Sequence, residues 1–303
     1  MIPAPADAPE PHSIRHFGAF AGTCVIWGST FLAIRFGNDT VPPLWAATLR
    51  LLVAGSLLAG LAAWRRIPYP SGGALRGALL FGFLNLGLDI ALLYWSEVRV
   101  ASGTAALVFA TLPILTGIVA ALFRVHPLDP VKMASAVVGF GGVALVFAGQ
   151  ISIGEPTVAL GAVFLATLLA ACSFVIVKKL PTASPITTNA VACFVGAAVC
   201  FAGSLLLGEG HALPTGAAAW WPILYLAVAG NLIAYVLYLW LLARWTVTSL
   251  ATNSLITPVI AVTLGAITRG EALGRFTYLG GALVLAGVAA SLFLSRRPAG
   301  ASS

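Results

Sequence analysis

Apolar residues fill this chain in runs of 17 to 25, separated by short polar or basic stretches. A run of that length reads as a helix crossing a bilayer, whose hydrocarbon core takes about 20 residues. Ten spans are predicted, at 16–36, 44–64, 75–96, 101–123, 131–149, 158–178, 187–207, 220–243, 247–268 and 274–295. The expected fold class is therefore all-α integral membrane, with ten transmembrane helices.

One run recurs. Residues 100–123 read VASGTAALVFATLPILTGIVAALF, with Pro113 near the middle, and residues 246–268 repeat the pattern with Pro258, 145 positions later. The same offset joins Trp95 to Trp240 and Gly142-Val143 to Gly287-Val288. An offset of 143 joins Gly18-Ala19 to Gly161-Ala162, Phe31 to Phe174 and Pro42 to Pro185. The chain reads as one unit written twice, over 15–150 and 151–296, with a disordered arm at 1–14 and a short tail at 297–303. Five spans per unit is an odd number, so the second unit enters from the opposite side. Inverted repeats of this kind mark secondary transporters, with the substrate near the midplane between the halves.

Composition supports the membrane reading. Hydrophobic residues make up 60%, charged residues 8%, and mean hydropathy is +1.01. A soluble protein carries about 25% charge. The net charge of +7 does not point to nucleic acid, because the basic residues lie singly or in pairs between apolar runs. Eleven of them (Arg15, Arg65, Arg66, Arg76, Arg124, Lys132, Lys178, Lys179, Arg244, Arg296 and Arg297) fall on one side of the predicted topology. Four (Arg35, Arg99, Arg269 and Arg275) fall on the other, with Asp39, Glu97, Glu155, Glu209 and Glu271. The positive-inside rule then puts both termini in the cytoplasm. Cys24, Cys172, Cys193 and Cys200 all lie in apolar runs and show neither a disulfide framework nor metal-ligand spacing. Neither a metal nor a cofactor is expected.

Small-xxx-small pairs (Gly55 with Ala59, Ser56 with Gly60, Ser135 with Gly139, Ala282 with Ala286) read as helix-packing sites. Spans two, five, seven and ten hold few polar groups and are expected at the periphery, toward lipid. Polar residues concentrate in the other six. Asn85 and Asp89 share one face of span three, as do Asn231, Tyr235 and Tyr238 on span eight. Trp27, Ser29 and Thr30 lie in span one, Thr104 and Thr111 in span four, Thr167 and Ser173 in span six, and Thr252, Asn253, Ser254 and Thr257 in span nine. Such groups face a cavity or a neighbouring helix, or, for Ser and Thr, bond their own backbone.

Asp89 is the one deep acid and Arg50 the one deep base. They lie roughly 12 and 9 Å from the outer surface at 1.5 Å per residue. Asp89 is either a site residue or half of a structural ion pair with Arg50. Pro113 frees the Phe109 carbonyl and Pro258 that of Ser254, so both prolines read as hinges or as static kinks.

These features resemble the drug/metabolite transporter superfamily in its EamA-type branch. The matching residues are Trp27-Gly28-Ser29, Arg50-Leu51-Leu52, Pro113, Pro258, Gly270-Glu271, Gly280-Gly281 and Gly287-Val288. The resemblance covers about residues 16 to 295. It departs at Val125-His126, where the family often has Gly-Glu. Within the branch the chain is most similar to the YddG-type amino-acid exporters of bacterial inner membranes. The resemblance implies export of aromatic and other neutral amino acids, and related metabolites, through a cavity between the halves.

The substrate-binding set expected is Trp27, Ser29, Asn85, Asp89, Tyr94, Trp95, Thr111, Ser173, Asn231, Tyr235, Tyr238, Trp240 and Asn253. Asp89, Asn85 and the freed carbonyls would accept from an ammonium. Asn231, Asn253, Ser29 and Tyr238 would donate to a carboxylate, and the aromatic residues would hold a large neutral side chain. Three other classes stay in view. A multidrug exporter would centre on Asp89. A nucleotide-sugar carrier would want more deep cations than Arg50. An intramembrane enzyme would need a catalytic cluster, yet His12, His16, His126 and His211 all sit at loops or span ends. No P-loop is present for ATP hydrolysis. Expected partners are a small-molecule substrate and the lipid bilayer, not nucleic acid, with the protein a monomer or homodimer.

Overall fold

The structure, a computed structural model, describes residues 13–38, 40–100, 102–148, 157–269 and 275–293. The arm at 1–14, except its last two residues, the tail at 297–303, the loop at Glu155 and the Gly270-Glu271 motif lie outside the described residues. The helices are α1 Ile14–Asn38, α2 Pro43–Arg65, α3 Gly72–Glu97 and α4, which is broken into Ser102–Phe109 and Leu112–Leu122. They continue with α5 Pro130–Val146, α6 Thr157–Lys179, α7 Pro185–Leu206 and α8 Ala217–Leu242. Last come α9, broken into Val247–Ala251 and Asn253–Arg269, and α10 Arg275–Phe293. There is no strand among the described residues.

Eight of these helices are long and apolar enough to cross a membrane: α2, α3, α4, α6, α7, α8, α9 and α10. The ten spans read from the sequence add α1, which has 25 residues, and the shorter apolar α5, which has 17. Large apolar side chains on the outside of the bundle are left exposed, including Leu79, Leu80 and Phe83 on α3, Phe164 and Leu165 on α6, and Leu283 and Leu285 on α10. A bilayer, not water, suits such a surface.

Local chemistry sets the helix ends. Proline opens α2, α5 and α7, where its missing N–H would have had no partner. Asp129 caps α5 by accepting from Val131 N at 2.9 Å and Lys132 N at 3.3 Å. The N-terminus of α2 is capped from another helix pair: Leu44 N and Trp45 N donate to the two carboxylate oxygens of Glu209 at 3.2 and 2.9 Å.

The helices pack in related pairs. α2 lies along α7 and α5 along α10, while α1 packs on α8 and α9, and α6 on α3 and α4. Each half of the chain thus lends its first helix to the other half. The α5–α10 contact is the tightest in backbone terms. A Cβ added at Gly142 would stand 2.7 Å from Gly280 O, and one at Gly287 would stand 2.7 Å from Ser135 O. Of the expected packing pairs, Gly55 meets Cys193 on α7, Gly139 meets Leu255 on α9, and Ser135 offers its carbonyl to Gly287. Ser56, Gly60, Ala282 and Ala286 instead face outward. In their place Gly280 and Gly287, on the opposite face of α10, make the contact. The expected peripheral position also fails for α2. It is buried over as large a share of its length as α3, because α7 covers it and Arg50 reaches inward.

Candidate functional site

The third helix of each half shares an irregularity. α3 widens to π-helical hydrogen bonding at Gly82–Asp89, and α8 does so at Leu226–Ala234. These are equivalent places in the two halves, and π turns recur at functional sites because they redirect side chains and leave backbone groups free to adjust. Asn85 and Asp89 lie in the first π segment, and Asn85 Nδ2 donates to Asp89 Oδ2 at 3.2 Å. Asn231 lies in the second, and its carbonyl accepts from Asn189 Nδ2 at 2.7 Å.

A cavity of about 110 Å³ sits between these segments. At roughly 10–15 Å³ per water it has room for several waters or one small solute head group. Residues of the first half on its wall come from α1 (Trp27, Thr30, Ile34), α2 (Arg50), α3 (Asn85, Asp89, Ile90, Leu93, Tyr94) and α4 (Phe109, Leu112). The second half supplies Ala170 and Phe174 from α6, Gly230, Tyr235 and Tyr238 from α8, and Ala251, Asn253, Ser254 and Thr257 from α9.

One wall is aromatic. The Trp27 ring centroid lies 5.0 Å from that of Tyr235 and 5.0 Å from that of Tyr238, and Phe174 lies 4.7 Å from Tyr238. Trp27 Nε1 donates to Gly230 O at 3.3 Å, which fixes the indole against the second π segment. The opposite wall is polar and charged. Arg50 Nη1 donates to Tyr94 Oη at 2.9 Å, and the guanidinium lies 5.2 Å from the Tyr94 ring centroid. Arg50 Nε, Asn85 Oδ1, Asp89 Oδ1 and Tyr238 Oη are all buried and have no partner. Unpaired buried polar atoms are rare, and these four belong to residues that line one cavity. A ligand or water there would satisfy them. No ion pair joins Arg50 to Asp89; each turns to a neutral neighbour, Tyr94 and Asn85.

Seven of the expected site residues line the cavity: Trp27, Asn85, Asp89, Tyr94, Tyr235, Tyr238 and Asn253. Asn253 also ties α9 to α1 by donating to Thr23 Oγ1 at 2.9 Å. The structure places the other six off the wall. Ser173 Oγ donates to Ala170 O and Thr111 Oγ1 to Val108 O, both at 2.7 Å, so these hydroxyls are satisfied by their own helices. Ser29 bonds Ile26 O and the Tyr225 hydroxyl. Asn231 is fully buried behind the wall. Trp95 stacks under the Arg99 guanidinium, 4.1 Å from its centroid, at one end of α3. Trp240 packs with His16 and Arg244 near the C-terminal end of α8.

The prolines are buried beside the cavity but do not line it. α4 is interrupted at Ala110-Thr111, just before Pro113, and α9 at Thr252, six residues before Pro258. The Ser254 carbonyl freed by Pro258 accepts from Thr257 Oγ1 at 3.4 Å, so it is partly satisfied within the helix. Sequence reasoning left out Arg50, Thr30, Phe109, Phe174 and Thr257, all of which line the cavity. Each carried a partial signal: Arg50 as the one deep base, Phe174 as the repeat mate of Phe31, Thr30 and Thr257 as polar groups within spans one and nine, and Phe109 as the residue whose carbonyl Pro113 frees.

Comparison with known proteins agrees with this geometry. The model of the EamA-like transporter family matches twice, at residues 17–148 and 157–293. An uncharacterized inner membrane transporter of Escherichia coli K12, YedA, is 28% identical over 91% of this chain and 90% of its own length. A probable terminal-alkyne amino-acid exporter of Streptantibioticus cattleyicolor is 29% identical over 92% of each chain. A solved crystal structure, described only as that of a protein, superposes with a TM-score of 0.78 at 19% identity, over 93% of this chain and 99% of its own, which shows the shared fold. The chain belongs to the EamA-like transporter family, within the drug/metabolite transporter superfamily, and is a multi-pass membrane transporter.

Proposed function

We propose that this protein is a secondary exporter of the bacterial inner membrane that moves neutral and aromatic amino acids by alternating access. The observation that carries the reading is the cavity itself, where an aromatic wall of Trp27, Tyr235, Tyr238 and Phe174 faces unpartnered polar atoms of Asn85, Asp89 and Arg50. The polar side suits an amino-acid head group and the aromatic side a large neutral side chain. A wall of this kind discriminates poorly among apolar side chains, at roughly 1–3 kcal/mol, so the substrate range is broad and affinity weak.

The chain crosses the membrane ten times, as two inverted five-helix units over 15–150 and 151–296, with both termini cytoplasmic. The two separate family matches support the two units, and the uneven distribution of basic residues supports the orientation. The exchange of first helices between halves supports a rocking of one unit on the other. At the basic end, Lys178 Nζ donates to Leu242 O at 2.8 Å and Lys179 Nζ to Phe123 O at 3.2 Å, which draws the C-terminal ends of α8 and α4 to α6. At the other end Glu209 holds α2. The relatives named as an inner membrane transporter and an amino-acid exporter are consistent with the compartment and the substrate class.

A second reading, a cationic multidrug exporter, draws on Asp89 as a carboxylate inside an aromatic box. Counterflow in proteoliposomes separates the two. Vesicles preloaded with unlabelled phenylalanine should take up labelled phenylalanine and methionine well above protein-free vesicles. Exchange of cationic drugs without any amino-acid exchange would replace the first reading with the second.

A further inference from the structure

Asp89 is a carboxylate looking for a cation, and the wall beside it holds a cation looking for an anion. Arg50 is 7% exposed and Asp89 4%, both line the cavity, and each has a buried atom without a partner, Nε and Oδ1. Their own neighbours hold them apart. Tyr94 Oη accepts a hydrogen bond from Arg50 Nη1, and Asp89 Oδ2 accepts one from Asn85 Nδ2. Glu97, one turn beyond Tyr94, also has an unpartnered Oε1 and makes no ion pair with Arg50. Tyr235 and Tyr238 are the other titratable groups on the cavity wall; Cys193 and Cys200 approach from α7 as buried thiols.

Spacing matters here. Asp89 and Tyr94 are five residues apart on α3, roughly 7–8 Å along the axis at 1.5 Å per residue. Arg50 is bound to Tyr94 and makes no ion pair with Asp89, so the two charged groups stand apart on the wall they share. The ammonium and carboxylate of an α-amino acid share one carbon. With a hydrogen bond of about 2.9 Å on each side, that head group bridges such a gap. The free Nε edge of a guanidinium, with a neighbouring N–H, presents the side-on fork that suits a carboxylate.

Resting on the amino-acid reading above, we infer that Arg50 is the carboxylate anchor of the site. The cavity then selects zwitterions by binding the ammonium at Asp89 and Asn85 and the carboxylate at Arg50. The carboxylate role assigned from sequence to Asn231, Asn253, Ser29 and Tyr238 passes to Arg50, with Tyr238 Oη as a second donor. A substrate lacking either charge leaves one buried ion unpaired, which penalises it much more than a changed apolar side chain would.

The test is a competition panel against labelled phenylalanine counterflow in proteoliposomes. It comprises phenylalanine, phenethylamine, 3-phenylpropionate and phenylalanine methyl ester. On the wild-type protein the three single-charge compounds should compete at least ~10-fold more weakly than phenylalanine. Arg50→Gln should raise the phenylalanine KM ~30-fold and narrow its advantage over the methyl ester and phenethylamine, while Arg50→Lys restores part of both. A merely structural role for Arg50 would lower the amount of active protein without moving these ratios. If the ester and the amine compete as well as phenylalanine on the wild type, Arg50 is not the anchor, although the amino-acid reading stands. If no amino acid exchanges at all, that reading and this inference fall together. Should Arg50→Gln fail to fold, the wild-type panel decides by itself.

Discussion

The two π segments show how unevenly a duplicated scaffold is used. Gly82–Asp89 and Leu226–Ala234 have the same backbone form at the same place in each half, and both border the cavity. Their chemistry differs. At an offset of 145, Asp89 corresponds to Ala234 and Tyr94 to Leu239; at an offset of 143, Arg50 corresponds to Cys193. Every charged side chain on the cavity wall therefore comes from the first half, and the second half answers with neutral groups: the rings of Phe174, Tyr235 and Tyr238, the Asn253 amide and the hydroxyls of Ser254 and Thr257. Duplication fixed the frame, and divergence left the charges on the cavity wall in the first half alone. If the halves are inverted and rock as proposed, such an asymmetric site would present different groups to the two sides of the membrane.

The largest effect should come from removing the acid that the second half lacks. Asp89→Asn leaves Arg50 as the one charge on the wall and should raise the KM for phenylalanine ~100-fold, near the 1.5–3 kcal/mol typical of a hydrogen bond to a charged group. Flux should still follow the substrate gradient, because a single deep carboxylate is a poor proton relay. Transport driven by a pH gradient in the wild type, and lost in Asp89→Asn, would show instead that the first half also carries the coupling. Initial-rate uptake with and without an imposed pH difference distinguishes these outcomes.

The frame should respond alike in both halves. Gly142 and Gly287 are repeat mates, and a Cβ at either would stand 2.7 Å from a backbone carbonyl across the α5–α10 contact. Gly142→Ala and Gly287→Ala should each destabilise the protein by ~2 kcal/mol, within the usual range for overpacking. The loss should be similar for the two, read as thermal unfolding in detergent. A twofold or greater difference between them would show that the symmetry of the backbone does not extend to its energetics.

Much of this frame was legible in the sequence because membrane crossing imposes a length and duplication imposes an offset. Residues 72–97 and 217–242 emerge as single long helices for that reason. The π turns were not legible, since a change from α to π bonding leaves the apolar pattern almost intact. Among the site residues, Asn85 and Asp89 stood out because amides and acids are expensive at depth. Ser29, Ser173 and Thr111 misled because a short hydroxyl reaches a carbonyl of its own helix and needs no cavity. Trp95 and Trp240 are repeat mates, yet both lie near helix ends, where indole rings commonly sit at the interface. Arg50 was legible as the one deep base, but the role proposed for it draws on a fact that sequence does not hold: its Nη1 donates to Tyr94 and not to Asp89.

The smallest effect tests the comparison most directly, because it opposes two asparagines in matching π segments. Asn85 lines the cavity and bonds Asp89. Asn231 is buried behind the wall, and what is anchored there is its carbonyl, to Asn189. Asn85→Ala frees Asp89 Oδ2 and removes an acceptor from the site, so transport should fall ~10-fold, as should transport by Tyr235→Ala through loss of the aromatic wall. Asn231→Ala keeps the backbone bond and removes two side-chain atoms that have no partner, so its kcat/KM should stay within ~3-fold of wild type. Ser135→Ala, on α5 away from the cavity wall, sets the level of a packing change alone. The measurement is phenylalanine counterflow, normalised to folded protein by size-exclusion chromatography. A loss in Asn231→Ala as deep as that in Asn85→Ala would mean that Asn231 swings onto the wall in another state of the cycle. The second π segment would then contribute to head-group binding, and the division of labour between the halves would hold for one conformation only.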